Sequence, residues 1–468
     1  MKNSFFSGLS VPLCIAVFMF CLISARAQDT EAADFFEENE TALSLSFGGK
    51  IQTVHGVQLV SPFDYAASRT FAELTTKASF GNSSAFVSLG AEYNYRNKSR
   101  TGFRLNEAYY RYTGNFFDFT VGRQVIAWGQ ADGFRLTDVF SVRDLRDPVA
   151  SDTDSSRLAV DALRLRFLHD IFTFEITAVP LFTPDKLPPF FFESEADTEF
   201  FSIDLPKTFS HGGISGKIKY IEKKSAQSPR KFTDTEAGAR LSFTLPALDF
   251  SLSGFYGWDK TPYYEKTGKL NGTPPLFPDA NADVTLHEKY ARIAMAGFDA
   301  AIPAGDFLIR LEGAWIGGRR FEQKNPIKPF TLSPPPINLP FNQPVEKNQL
   351  LLLAGIDWNY RGWFASVQYF EDLIVDRKDD TKRETHEGFV SFNISKTLLR
   401  ETLKLSAAGS VGANYGDMFA KFSADYALTD NLHTAIGADV YTKGVDGKGR
   451  FAEMNALNAL WIKGTFSW

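Results

Sequence analysis

The sequence predicts an all-β fold: a transmembrane antiparallel β-barrel of about 18 strands (16 to 20), with short turns at one end and long loops at the other. Three observations carry this expectation: a period-2 hydrophobic pattern, an alternation of connection lengths, and tryptophans placed near strand ends. The period recurs along most of the chain. Phe172, Phe174, Ile176 and Ala178 alternate with Thr173, Glu175 and Thr177. Phe307, Ile309 and Leu311 alternate with Leu308, Arg310 and Glu312, and Met418, Ala420, Phe422 and Ala424 with Lys421, Ser423 and Asp425. Side chains of a strand point to opposite faces in turn, so each segment presents one apolar and one more polar face. Aromatic residues make up 15% of the chain, with 45 Phe, which favours strands.

The connections alternate as the strands do. Short ones are expected at Gly81–Ser84, Gly114-Asn115, His169-Asp170, Pro246–Leu248, Pro303–Gly305, Arg361-Gly362, Leu398–Glu401 and Thr429–Asn431. Long ones fall at 127–156, 181–233, 259–288, 319–347 and 443–453. In a membrane barrel the short turns are periplasmic and the long loops extracellular. Pro184, Pro188, Pro189, Pro274, Pro275, Pro278 and Pro334–Pro336 all fall in these loops, as expected for a residue that cannot donate to a closed ladder. The stretch Ile214–Tyr220 reads either as one more strand or as a hairpin inside a long external loop. The loop reading keeps the strand number even. Trp358 and Trp363 flank a short turn, while Trp258 and Trp315 lie towards the other ends of their strands. That is the distribution of two interfacial girdles, where an apolar ring sits in lipid and its N–H reaches the headgroups.

The two ends of the chain agree. Lys2, the apolar run Val11–Ile23 and Ala25-Arg26-Ala27 describe a secretory signal peptide over 1–27. Residues 28–40 form an acidic periplasmic leader, and 41–468 the barrel. Both cysteines, Cys14 and Cys21, lie in the segment to be removed, so no disulfide or cysteine metal site is expected. The formal charge of −5 becomes more negative when Lys2 and Arg26 are lost, which argues against nucleic acid. Mean hydropathy is only −0.18, a value within which alternating strands can hide. At the other end, Leu460, Ile462, Phe466 and Trp468 share one parity. This pattern resembles the C-terminal recognition strand of Gram-negative outer-membrane barrels. The resemblance implies an outer-membrane location, contact with the bilayer and lipopolysaccharide, and delivery to the barrel assembly machinery through Ile462, Phe466 and Trp468. The strand is expected to close the barrel against residues 42–60.

One stretch has a more specific sequence. Gly122-Arg123-Gln124 is followed by Trp128-Gly129, then by Asp138, Arg143, Asp144 and Pro148. This resembles the DUF1302 family of outer-membrane proteins of unknown function, as do Leu105–Tyr110 and Glu236–Ser242. Pro occurs here only at Pro148, where family members often carry Asn-Pro near Val142-Arg143. The loop that follows is dense in both charges. Arg123, Gln124, Trp128, Asp132, Arg135, Asp138, Arg143, Asp144, Arg146 and Asp147 are candidates for a pore constriction, joined by Arg164 and Arg166 of the next strand. Balanced charge suits a loop (127–156) folded inward and pinned to the wall by ion pairs, and a barrel of this size needs something to narrow it. The alternative is a solvated external loop.

Nothing points to catalysis. His55, His169, His211, His287, His386 and His433 are dispersed without metal-ligand spacing. There is no Gly-x-Ser-x-Gly elbow and no phosphate loop. The sequence therefore predicts a non-enzymatic, porin-like channel without cofactor or metal, for passive or selective diffusion of an unidentified small solute. Arginines balanced by aspartates do not predict strong anion selectivity. Two alternatives remain: a barrel coupled to export of hydrophobic compounds or to envelope assembly, and a surface-binding protein or barrel-embedded hydrolase. Monomer and homo-oligomer are both open.

Overall fold

A computed structural model describes residues 42–61, 63–129, 131, 134–151, 156–187, 208–211, 214–226, 229–271, 280–324, 338–339, 341–375 and 380–468. The expected signal peptide and acidic leader lie outside these residues, as does Asp132. Eighteen strands make one sheet. They are β1 Ser44–Gln58, β2 Tyr65–Phe80, β3 Ser83–Asn94, β4 Gly102–Thr113, β5 Phe117–Gln124, β6 Val160–Leu168, β7 Phe172–Val179, β8 Glu236–Leu245 and β9 Leu248–Trp258. The second half comprises β10 Arg292–Ala304, β11 Phe307–Phe321, β12 Val345–Tyr360, β13 Trp363–Ile374, β14 His386–Leu398, β15 Leu403–Gly412, β16 Met418–Ala427, β17 Leu432–Thr442 and β18 Ala459–Ser467. Each pairs antiparallel with the next. β18 returns to β1 with Phe466 opposite Ile51 and Leu460 opposite Val57. Closure leaves no free edge, so every wall strand finds its backbone partners within the sheet.

The pattern that builds the strands also sorts their faces. On β11, Phe307, Ile309, Leu311 and Trp315 are exposed on the outside, while Glu312, Ala314 and Ile316 are buried on the inside. On β13, Val367 and Tyr369 point out, and Ser366, Gln368, Phe370 and Asp372 point in. From Phe307 to Trp315 the outward apolar row is about 20 Å tall, taking ~3.3 Å per residue and a tilt of ~40°. A continuous apolar belt facing outward on a closed antiparallel barrel is the surface a bilayer covers, and the protein is an outer-membrane barrel. Trp358 stacks on Tyr360 at 6.0 Å beside the Arg361-Gly362 turn, where Lys396 lies 5.0 Å from the Trp363 ring. Trp258 lies at the loop end of β9, donating its Nε1–H to the Asp234 carbonyl.

The turns are as short as expected, with small shifts. Pro303 and Ala304 continue β10 and leave Gly305 (φ 64°) to make the bend; at a strand end the missing proline donor costs little. The stretch around Ile214–Tyr220 is not part of the wall. Thr208–His211 and Ile214–Lys224 form a hairpin. The second strand pairs in parallel with Ala280–Lys289, which pairs in turn with Tyr263–Asn271. These strands make a small separate sheet on the long-loop side, so 259–288 carries regular structure where only loop was expected.

Candidate functional site: the loop inside the barrel

The connection from β5 to β6 makes contacts on opposite sides of the lumen. Its first half supplies Ile126, Trp128, Leu136, Phe140 and Val142 to a buried apolar cluster with Phe255, Ile293, Ile316, Leu351 and Phe370 of β9–β13. Further along, Val149 joins a second cluster with Val54, Ala66, Ala435 and Trp461, from β1, β2, β17 and β18. The segment thus touches both walls.

Inward carboxylates hold it there. Glu312 on β11 is 1% exposed. It accepts from the backbone N–H of Ala131 (2.9 Å), the N–H of Thr137 (2.9 Å) and the Thr137 hydroxyl (2.7 Å). Glu175 on β7 accepts from Trp128 Nε1 (2.9 Å) and pairs with Arg164 at 2.5 Å. Asp439 on β17 accepts from Ala150 N–H (3.0 Å) and Trp461 Nε1 (2.9 Å). On β2, Arg69 pairs with Asp147 at 2.8 Å and donates to the Val149 carbonyl at 3.0 Å. Lys421 donates to the Pro148 and Ser151 carbonyls. Irregular backbone has no ladder to satisfy its polar groups, so these side chains take that role.

Gly122, Gln124, Trp128 and Gly129 of the specific motif are explained by the path and docking of this loop. Gly122 has φ 122°, and a Cβ there would lie 2.4 Å from the Ala108 carbonyl oxygen. Gln124 turns inward and donates to the Ala162 (3.2 Å) and Thr120 (3.4 Å) carbonyls, fastening the start of the loop. The Trp128 ring meets Phe140 edge-on at 5.0 Å. Gly129 has φ 88°, and a Cβ would fall 2.5 Å from Glu312 Oε1, so only glycine allows this approach. Gly238 makes room in the wall, since a Cβ there would lie 2.9 Å from both Trp128 and Phe140.

The remaining candidates separate into groups. Arg135 pairs with Asp185 at 2.5 Å, and Asp185 also accepts from Arg143 N–H at 2.9 Å. Asp138 accepts from Trp128 N–H (3.2 Å) and lies 3.6 Å from Arg157. Arg146 grips Asp144 through Nε (2.9 Å) and Nη2 (2.7 Å), and Arg100 approaches Asp144 at 3.3 Å. Arg164 and Arg166 carry the inward parity, the latter forked onto Asp118. Arg123 requires a correction. It shares its parity with Val121 and lies opposite Asp161, next to the outward Leu163. It is forked onto Asp161 at 2.9 and 3.0 Å. Lying one residue from the loop end of β5, this pair belongs to the outer rim and not to the lumen. His55 bonds Ser68 and Thr53 on the outer face, and His433 bonds Asp425. Among the described residues no group of three or more His, Cys, Asp and Glu gathers as a metal site.

Burial raises the Asp144 carboxyl, but the Arg146 and Arg100 guanidiniums outweigh it and hold it below the ordinary carboxylate value. A depressed value means the anchor is fully present above about pH 4 and fades as pH falls through the lowered value. We therefore expect loop fluctuations, read as current noise in planar bilayers, to increase on acidification below about pH 4. Asp144→Asn should show the noisy behaviour at neutral pH, with no further step.

Above the loop, on the long-loop side, lies a cavity of about 380 Å³. Among the described residues, seven cationic side chains line it: Arg135, Arg143, Lys260, Arg319, Arg320, Arg383 and Arg450. Four carboxylates do so: Asp138, Asp185, Asp259 and Asp372. Phe134, Ile316, Phe321, Leu351 and Phe370 supply apolar surface. The wall carboxylates Glu312, Glu175 and Asp439, the loop partner Asp185, and this vestibule were not singled out from sequence. The available signal was a charged residue on the inward parity in mid-strand.

A model for the DUF1302 proteins of unknown function matches residues 63–329, more than half of the chain's 468 residues. The chain belongs to the DUF1302 family. The matched range contains the β5–β6 loop and several of the strands that receive it, among them β2, β7 and β11 through Arg69, Glu175 and Glu312. No curated protein matches this DUF1302 chain significantly. Solved outer-membrane barrels resemble it at the level of architecture. OccK3 of Pseudomonas aeruginosa is 10% identical, with 91% of this chain and 95% of that one covered and a TM-score of 0.49. The outer-membrane protein OmpT of Vibrio cholerae is 11% identical over 91% and 100% of the two chains, with a TM-score of 0.44. Wzi of Escherichia coli, described as a carbohydrate-binding barrel involved in capsule assembly, is 11% identical over 99% and 89%, with a TM-score of 0.44. Likenesses this distant assign no solute or partner.

Proposed function

We propose that this DUF1302 protein is a porin-like channel for small solutes, with the β5–β6 loop as its constriction. The observation that carries the reading is the set of contacts from this one loop to Glu312 on one side and Asp439 on the other. A barrel of eighteen strands otherwise leaves a wide aqueous lumen, and a tethered crossing segment turns it into a narrow one. Lumenal pairs such as Arg240–Asp299 (2.9 Å) and Arg164–Glu175 (2.5 Å) keep the wall polar and nearly neutral. This favours general permeation below the constriction over a one-sided anion ladder. The reading carries no catalytic step.

Deleting residues 130–147 should raise single-channel conductance several-fold in planar bilayers. Unchanged conductance would remove the loop from the pathway. A second reading, a barrel coupled to export of hydrophobic compounds, draws support from the buried apolar cluster around Trp128 and Phe140. It predicts a wild-type barrel with almost no ion current, which the same recording decides.

A further inference from the structure

The vestibule above the loop combines an aromatic surface with a cluster of guanidiniums. Phe134 stacks on Phe370 with centroids 4.4 Å apart and planes within 12°, and Phe389 lies 5.9 Å from Phe134. Two guanidiniums sit over rings at this aromatic surface: Arg450 is 5.5 Å from the Phe389 centroid, and Arg383 is 5.4 Å from Phe321. Among the described residues, lining cations outnumber lining carboxylates. Arg383 is held by Asp372 at 2.9 Å and Arg319 by Asp259 at 2.8 Å, so these arms are fixed in place before any ligand arrives. The cavity has the volume for a ring or a short chain, not for an oligosaccharide.

We propose that this vestibule selects amphipathic organic anions, namely carboxylates on an aromatic or short aliphatic body. The carboxylate meets the guanidinium of Arg450, and the body lies on the half-buried Phe134, whose other face rests on the buried Phe370. A guanidinium matches a carboxylate with two parallel N–H donors. A flat apolar body stacks on the exposed ring face and releases water. Burial and the neighbouring Arg135 push Arg143 down to about 10. It therefore stays charged at neutral pH in a place where an incoming anion is welcome. As a statement about permeation the inference rests on the channel reading. As a statement about binding it does not.

The experiment uses the full barrel, folded in detergent and reconstituted in planar bilayers, with benzoate, benzyl alcohol, protonated benzylamine and acetate as probes. Calorimetry should show benzoate binding at least about tenfold more tightly than the other three, and benzoate should interrupt the current. Arg450→Ala should weaken benzoate about tenfold, the loss of one charge-assisted pair, and Arg450→Lys should recover part of it. Phe134→Ala should weaken benzoate but leave acetate unchanged. Equal binding of benzoate and benzyl alcohol, or benzoate affinity unmoved by both Arg450→Ala and Phe134→Ala, overturns the proposal. Benzoate binding by a barrel that passes no solute leaves the site standing and refutes the channel. Solute flux without benzoate preference does the reverse. Heat-modifiable migration of each variant on gels confirms that it folded.

Discussion

Glu312→Ala is expected to raise single-channel conductance several-fold while leaving the barrel assembled. One carboxylate accepts three hydrogen bonds from the loop, at Ala131 and twice at Thr137. Removing it strands two backbone donors and a hydroxyl in a buried place, at about 1–3 kcal/mol each. That loss frees the stretch around Ala131 and Thr137 from the wall, while the apolar cluster and the Asp439 and Arg69 contacts still hold the loop's two flanks. The pairing of β11 with β10 and β12 runs through backbone atoms and is untouched. Glu312→Gln keeps one acceptor but turns an amide NH₂ towards donors, so its effect should be intermediate. Conductance in both variants equal to wild type would show that Glu312 is not the anchor.

Removing Phe466–Trp468 should abolish insertion, leaving unfolded protein in the periplasm. Trp468 exchanges backbone bonds with Gly49 in both directions, at 3.0 and 3.1 Å. Phe466 pairs with Ile51 on one side and Leu432 on the other. The truncation therefore shortens the seam where the barrel closes and removes two outward aromatic rings stacked at 5.9 Å. A seam left open exposes unpaired strand edges to lipid, which a membrane does not tolerate. Fractionation and heat-modifiable migration read the result, and normal insertion of the truncated chain would count against the assembly role of Ile462, Phe466 and Trp468.

Much of the wall was legible because its rule is local. Period 2 is written in neighbouring residues, and it assigns Phe307 to lipid and Glu312 to the lumen without knowledge of any partner. The same rule should have placed Arg123. Phe117, Phe119 and Val121 share its parity and mark the outer face, but its position beside the charged loop suggested the lumen. The cationic vestibule was hidden for a different reason. Arg383, Arg450 and Phe134 come from three separate connections, and nothing in their local sequence ties them together.

The sequence by itself therefore determined a closed barrel with apolar outside, polar inside and alternating connections, since each follows from spacing along the chain. It also marked Gly122–Gly129 as unusual. Only the tertiary structure decided what that stretch is for. The contact from Thr137 to Glu312 spans 175 positions, and the one from Ala150 to Asp439 spans 289. Which of many inward carboxylates receives a loop depends on barrel circumference, on register and on where a Gly238 leaves space. These are properties of the closed sheet as a whole, set by shape complementarity rather than by any local period.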